Sequence, residues 1–210
     1  MRWPACARAM GLYQESLGIY ESLGDKQGKG ATLHAMAGLY RMQGEVERAM
    51  GLYQESLAIK ESLGDKQGKA ATLHEMAGLY SMQGEVERAM GLYQESLGIF
   101  ESLGDKKGKA ATLHEMASLY AMQEDFERAI ALYMESLDMK KEMGDLRGMA
   151  ITLASLAQIA ALAGAYDESL QMLEQSEAYL TRLGAAPELD QVRELTRQVM
   201  ERKDRQDGAA

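Results

Sequence analysis

Residues 30–69 read GATLHAMAGLYRMQGEVERAMGLYQESLAIKESLGDKQGK, and residues 70–109 repeat this segment with 34 of 40 positions identical. Residues 110–149 match the second copy at 23 of 40 positions, so the chain has a 40-residue period. A fixed period of this size is typical of solenoids, in which each repeat buries its apolar face against its neighbours. The sequence therefore predicts a stacked array of repeats.

Each repeat carries two apolar stripes with helical spacing. In the second copy, the stripes predict a helix over about 66–82 and another over about 85–103. Gly64 suits a left-handed C-cap, and Asp65 can cap the next helix through its carboxylate. The Gly-Asp pair thus predicts a tight junction between helices, and each repeat is predicted to be an antiparallel helix pair.

The repeat resembles the tetratricopeptide repeat (TPR), and its 40-residue form is similar to that of kinesin light chain and of bacterial TPR sensors and scaffolds. The TPR pattern in the first copy consists of Leu33, Met36, Ala37, Tyr40, Gly44, Ala49, Tyr53 and Ser56. The resemblance implies an all-α fold, a right-handed α-solenoid of antiparallel helix pairs (a TPR superhelix). It also implies a protein- or peptide-binding scaffold that uses a concave face lined by first helices, with no enzyme activity and no cofactor.

The pattern divides the chain into repeats and two distinct ends. The predicted parts are a partial repeat with only a second helix (1–29), three TPRs (30–69, 70–109, 110–149), a divergent fourth TPR (150–184), a capping helix (185–204) and a disordered tail (205–210). In the capping helix, Arg193 and Arg197 replace the Leu and Ala that the repeats keep, which would prevent a further repeat from packing.

The N-terminal helix is predicted to lack the first helix that pairs with every other second helix. Its apolar residues Met10, Tyr13 and Leu17 would be partly uncovered, and such a face usually marks an interface. This favours an alternative function, self-assembly into homo-oligomers. Two further alternatives to the scaffold are a sensor module and the C-terminal part of a longer repeat protein.

The net charge of −9 argues against binding to nucleic acid or to an anionic membrane, because both need a basic face. The chain has no apolar run long enough to span a membrane and no signal-peptide core, so we expect a cytoplasmic protein. Cys6 is the only cysteine, which excludes an intrachain disulfide. GDKQGK (24–29) differs from a phosphate-binding loop in spacing and follows a helix rather than a strand.

All three histidines, His34, His74 and His114, occupy one repeat position on the predicted concave face. They either contact a ligand in the groove or are simply copied with the repeats. A shared metal ion is disfavoured, because ligands lie about 2 Å from zinc whereas packed helices are roughly 8–10 Å apart. Imidazole ordinarily titrates near pH 6.5, so we expect any groove binding to depend on pH.

The rest of the predicted groove is small, rich in Met and mildly acidic. Methionine adapts to varied apolar shapes, whereas Gly38 and Gly78 either make room for a ligand or only permit close helix packing. The other predicted groove residues are Arg41, Met42, Glu75, Ser81, Met82, Glu115, Ser118 and Met122. The partner is expected to be a protein or a peptide, bound without a metal.

Overall fold

The structure, a computed structural model, describes residues 4–208, which form ten α-helices and no β-strand. The helices are α1 (Pro4–Leu23), α2 (Lys26–Met42), α3 (Val46–Leu63), α4 (Lys66–Met82), α5 (Val86–Leu103), α6 (Lys106–Met122), α7 (Phe126–Met143), α8 (Leu146–Leu162), α9 (Tyr166–Leu183) and α10 (Ala186–Asp207). They fall into two compact units that divide between Asp105 and Lys106. The predicted all-α fold of antiparallel helix pairs is confirmed.

The first unit contains α1–α5, with α2 paired to α3 and α4 paired to α5. Between these hairpins, α4 packs on α3, just as α2 packs on α1. Its core places the fully buried Ala37 and Ala49 beside Tyr53, and adds Met76 and Leu79 from α4. Small residues in the hairpin interface thus let the two helices enclose one large aromatic ring.

The second unit contains α6–α10, with α6 paired to α7, α8 paired to α9, and α10 packed on α9. Helix α10 occupies the place of a first helix, since Val192 and Val199 join the core formed by Ala157, Leu173 and Leu180. It continues through residues 205–207, which the sequence prediction wrongly placed in a disordered tail. The Arg205 side chain donates to the Glu201 carbonyl at 3.0 Å, consistent with the longer helix.

The Gly-Asp junctions have the predicted geometry. Gly64 ends α3 in the left-handed region at φ 66°, and the Asp65 carboxylate accepts a hydrogen bond of 2.8 Å from the Gly68 amide. A Cβ atom on Gly68 would overlap the Asp65 carboxylate, so the second glycine of the GDKQGK motif is needed for this cap. The motif is therefore a helix junction.

The turn inside each hairpin also needs a left-handed residue. Gly44, Gly84 and Gly164 adopt φ values of 75°, 76° and 79°, whereas the third repeat places Glu124 at φ 61°. A residue with a side chain is strained in this region. The third hairpin thus keeps the turn of the others despite the loss of its glycine.

Candidate binding face

First helices lie side by side within each unit, α2 beside α4 and α6 beside α8. In each unit, we call the surface that these helices form the first-helix face. Its most exposed apolar side chains are the final residues of these helices: Met42, Met82 and Met122 are 69%, 60% and 63% exposed. Leu162 occupies the same position in α8 and is 64% exposed. Every repeat thus presents one large apolar side chain to solvent at the same point.

His34 is half-buried behind this face and already has partners. Its Nδ1 atom lies 3.1 Å from the Thr72 hydroxyl and 3.3 Å from the Lys60 ammonium. Its ring meets Tyr53 edge to face, with centroids 5.1 Å apart. His34 therefore belongs to a polar cluster between the first and second repeats, rather than pointing freely into a groove.

Lys60, which was not predicted as a site residue, is the centre of this cluster and is only 8% exposed. Its ammonium donates to the Thr72 hydroxyl at 2.8 Å, and that hydroxyl donates to the Gly68 carbonyl at 2.9 Å. Burial lowers the pKa of Lys60, which the Asp65 carboxylate partly opposes. No carboxylate among residues 4–208 lies within ion-pair distance of the Lys60 ammonium, so the charge of Asp65 compensates only part of the effect of burial.

The second unit repeats this arrangement. Lys140 is 7% exposed and donates to the Thr152 hydroxyl at 2.8 Å, while Nδ1 of His114 lies 3.2 Å from the same oxygen. Burial lowers the pKa of Lys140 to about 8. The other second helices carry aromatic or aliphatic residues at this position, Tyr20, Phe100 and Leu180. A lysine at an otherwise apolar register was the sequence signal for these two clusters.

The histidines do not titrate where the sequence analysis expected. Burial, reinforced by Lys60 and Lys140 respectively, lowers the pKa of His34 and of His114 to about 4. Burial also lowers the pKa of His74, against the opposing charge of Glu75. The expected protonation near pH 6.5 is therefore wrong, because a charged imidazole would be desolvated and, in two clusters, placed beside an ammonium group.

Arg41 and Glu75 are brought together across α2 and α4, with Arg41 Nε 3.3 Å from Glu75 Oε2. Both side chains interact with the Tyr53 hydroxyl, and burial, followed by the charge of Glu75, raises the pKa of Tyr53 to about 12. In the repeat pattern, Ala35 of α2 is the counterpart of Glu75, and Ser81 of α4 is the counterpart of Arg41. Two residues that the sequence predicted separately thus form one charged contact on the first-helix face.

Gly38 and Gly78 face tyrosine hydroxyls. A Cβ atom on either glycine would lie 3.6 Å from the Tyr53 hydroxyl or 3.5 Å from the Tyr93 hydroxyl. These are ordinary van der Waals distances, so close packing does not require glycine here. Ser118 holds this position in the third repeat, where its hydroxyl lies 2.8 Å from the Tyr133 hydroxyl.

The remaining predicted residues lie either on first helices or on α1. Glu115 is half-buried on α6, and Ser81 is half-buried on α4. On α1, Met10, Tyr13 and Leu17 are half-buried; at the same registers of α3, Met50 and Leu57 are also half-buried, whereas Tyr53 is buried. Beside α1, a cavity of about 620 Å³ opens between its first turns and the turn from α2 to α3, and includes Cys6 and Met10 in its lining.

Two further properties limit the chemistry of the described part of the chain. Residues 4–208 contain no group of three His, Cys, Asp or Glu side chains placed to hold a metal ion. None of the helices described here has the length and apolar character needed to cross a lipid bilayer.

Paired helices, exposed first-helix methionines and Gly-Asp junctions together define a helical-repeat protein. The tetratricopeptide repeat family model matches residues 6–62, 68–142 and 110–182, and the chain belongs to this family. A comparison with curated proteins finds no significant match.

Solved structures share the fold at low identity. BtubC (BKLC) from P. vanneervenii is 20% identical with a TM-score of 0.71, over 99% of this chain and 92% of that one. A Podosopora anserina protein with nearly identical TPR-like repeats, named after kinesin light chain, is 21% identical with a TM-score of 0.62, over 85% of this chain and 88% of that one. A STAND protein from Pyrococcus horikoshii with a tetratricopeptide repeat sensor is 18% identical with a TM-score of 0.71, over 87% of this chain and 29% of that one. The predicted resemblance to the TPR family is confirmed.

Proposed function

We propose that the protein is a scaffold that binds a protein or peptide along the first-helix face. The observation that carries this proposal is the pair of exposed methionines in the first unit, Met42 and Met82, with Met122 exposed at the same register of the second unit. Methionine side chains are flexible and polarisable, and adapt to different apolar partners. Within the first unit, Met42 and Met82 recur at one register of adjacent first helices and would offer a ligand two apolar contacts of the same kind.

Differences between the first two repeats support the same face. These repeats differ at only six positions, and three of the six are at or directly behind the first-helix face. They replace Ala35 by Glu75, Arg41 by Ser81 and Lys60 by Phe100. Two near-identical repeats thus present different charges to a ligand, which would define its direction and register.

The test is capture of partners by three forms of the intact chain. A Met42→Glu/Met82→Glu variant changes only exposed side chains of the first-helix face, whereas Gln54→Glu/Gln94→Glu adds the same charge on exposed positions of second helices. We expect proteins that are retained by the parent and by the Gln variant to be lost from the Met variant. Equal retention by all three forms would contradict the proposal.

Self-association through α1 is a second candidate function. It is favoured by the burial of Ala49 and Tyr53 in α3, at 0% and 1% exposed, against half-buried Ala9 and Tyr13 at the same registers of α1. Pairing of two α1 helices about a two-fold axis would cover both faces. Sedimentation equilibrium of the intact chain and of a Tyr13→Glu/Leu17→Glu variant tests this, with Gln14→Glu as the control. A parent that is monomeric at high concentration would exclude it.

A further inference from the structure

The two ring nitrogens of His34 have different surroundings. Nδ1 belongs to the polar cluster, 3.1 Å from the Thr72 hydroxyl and 3.3 Å from the Lys60 ammonium. Nε2 has no hydrogen-bond partner among residues 4–208, and in the same part of the chain no side-chain nitrogen or oxygen atom is both buried and unpartnered. Nε2 is therefore in contact with solvent.

His34 lies on the side of α2 that belongs to the first-helix face. It precedes Gly38 and Arg41 by four and seven residues, so the three positions follow one side of the helix. Arg41 meets Glu75 of α4 on this side, at 3.3 Å. Gly38 adds no side chain between His34 and this ion pair. The solvent-exposed edge of the imidazole is thus open to a ligand group that lies over Gly38.

The neighbours of Nδ1 decide which ring nitrogen carries the proton. The Thr72 hydroxyl donates to the Gly68 carbonyl at 2.9 Å and accepts from Lys60 at 2.8 Å. An Nδ1–H group would direct its hydrogen towards the ammonium, which is itself a donor with a full positive charge, whereas the Nδ1 lone pair can accept from it. Burial lowers the pKa of His34 to about 4, so the ring is neutral and has one proton. That proton is therefore on Nε2.

The buried lysine also acts on the surface through the imidazole. A hydrogen bond from a cation to one ring nitrogen polarises the ring, and linked hydrogen bonds of this kind strengthen one another. Lys60 is 8% exposed and cannot itself reach a ligand, but the Nε2–H group in front of it can. In the next repeat Phe100 holds the register of Lys60, so this arrangement distinguishes two otherwise near-identical repeats of the first unit.

We propose that Lys60 is a positioning residue that keeps His34 in the Nε2–H form, and that this N–H group donates a hydrogen bond to an oxygen acceptor of the ligand, a carboxylate or a peptide carbonyl. The inference rests on the scaffold function proposed above and names one chemical group of its ligand. A group with donors only finds no acceptor on the ring at this point.

The tautomer is measured by proton–nitrogen NMR of the intact chain labelled at histidine, with His34 assigned from a His34→Gln variant. We expect a protonated Nε2 and an unprotonated Nδ1 at neutral pH. The comparison is a Lys60→Phe chain, which carries the residue that the next repeat has at this register. There the Nδ1 signal should move towards the protonated form, because the Thr72 oxygen is the partner that remains. Unchanged signals of His114 would show that the fold is intact.

Two results of this measurement would overturn the proposal. One is a parent chain in which His34 is protonated on Nδ1, since Nε2 would then be an acceptor. The other is an Nδ1 signal that is the same in the parent and in the Lys60→Phe chain, since Lys60 would then have no effect on the ring.

The acceptor preference is tested with small probes on the same two chains. Acetate represents a carboxylate and N-methylacetamide a peptide carbonyl, whereas methylammonium chloride has donors only and is the control at equal ionic strength. We expect the Nε2–H signal of His34 to shift saturably with acetate or N-methylacetamide and not with methylammonium. The Lys60→Phe chain should need at least about threefold more probe, because the charge-assisted bond behind the ring is lost. No saturable shift with either acceptor, or an equal response of both chains, would overturn the proposal.

A Met42→Glu/Met82→Glu chain separates this result from that of the scaffold proposal. Its substitutions are at exposed positions away from the cluster, so it should show the same tautomer of His34 as the parent. Failure of the NMR tests would remove the role of His34 and leave the capture result of the methionine variant as it is. Equal capture by the methionine variant would remove the scaffold face without changing the tautomer.

Discussion

Lys140, like Lys60, is a charged side chain at a register where the chain elsewhere uses Tyr20, Phe100 and Leu180. Its ammonium is buried against the Thr152 hydroxyl, and the charges of Asp145 and Glu115 oppose only part of the effect of burial on its pKa. Burial of a charge opposes folding, and replacement by a well-packed apolar residue is often stabilising. We therefore expect Lys60 and Lys140 to lower stability relative to an apolar residue at the same register.

We predict that Lys140→Leu raises the free energy of unfolding by about 1–3 kcal/mol at pH 7. The Thr152 hydroxyl keeps its bond to the Gly148 carbonyl at 2.9 Å, so the substitution strands no donor there. Because the folded-state pKa of Lys140 is lowered to about 8, the parent should gain stability between pH 8 and pH 10.5, where only the unfolded chain remains charged. The advantage of the variant should shrink over this range in chemical denaturation. A Lys140→Leu variant that is less stable than the parent would show that other groups compensate the buried charge of Lys140.

We predict a second pH effect from His34 and His114. Their folded-state pKa values of about 4 lie below the ordinary 6.5, so the unfolded chain binds protons first as the pH falls. Stability should be complete above pH 6.5 and decline towards pH 4, by up to about 3 kcal/mol for each histidine. Denaturation of a His34→Gln/His114→Gln chain should show a shallower decline than the parent. Parallel curves would contradict the prediction.

At the scale of the element, the turns inside the hairpins follow backbone geometry more than side-chain chemistry. Gly84 and Glu124 close equivalent turns at φ 76° and 61°. The left-handed conformation costs a residue with a Cβ roughly 1–2 kcal/mol, whereas glycine adopts it freely. The repeat thus tolerates a strained residue in one hairpin, since the flanking helices hold the turn in place.

We predict that Glu124→Gly raises the free energy of unfolding by about 0.5–1 kcal/mol, and that the reciprocal Gly84→Ala lowers it by about 1 kcal/mol. Nothing lies within 4 Å of an added Cβ on Gly84, so its loss would come from backbone strain alone. Thermal denaturation of both variants measures the two changes in stability. A stabilising Gly84→Ala would show that the left-handed turn is not required.

At the scale of the whole molecule, the helices of each unit pack mainly on their immediate neighbours, so a substitution in one repeat should act locally. We predict that Ala77→Arg, which buries a charge at a fully buried position, lowers stability by several kcal/mol. Hydrogen exchange should show lost protection in α4 and α5 first, with α9 and α10 least affected. Arg197 occupies the same register on the exposed side of α10, so Arg197→Ala is the matched control and should change little. Uniform loss of protection would indicate a single cooperative unit.

The sequence by itself determined the helices, their pairing and their junctions. The 40-residue period, the small residue at Ala37 and the Gly64-Asp65 caps are local patterns whose consequences do not depend on distant residues. The exposed positions of Met42 and Met82 and the uncovered face of α1 follow from the same register. The predicted end of α10 at residue 204 was too early, because the helix continues to Asp207 and no residue near 204 caps it.

Only the tertiary structure decided the chemistry behind the first-helix face. His34, Lys60 and Thr72 come from three different helices, and their contacts depend on how one repeat packs on the next. Lys60 reaches the cluster because Gly68 has no side chain in the path of its methylene groups. The low pKa of His34 follows from that burial and from the nearby ammonium. A periodic pattern places residues on faces of helices, but the depth and neighbours of a side chain arise only when the helices meet.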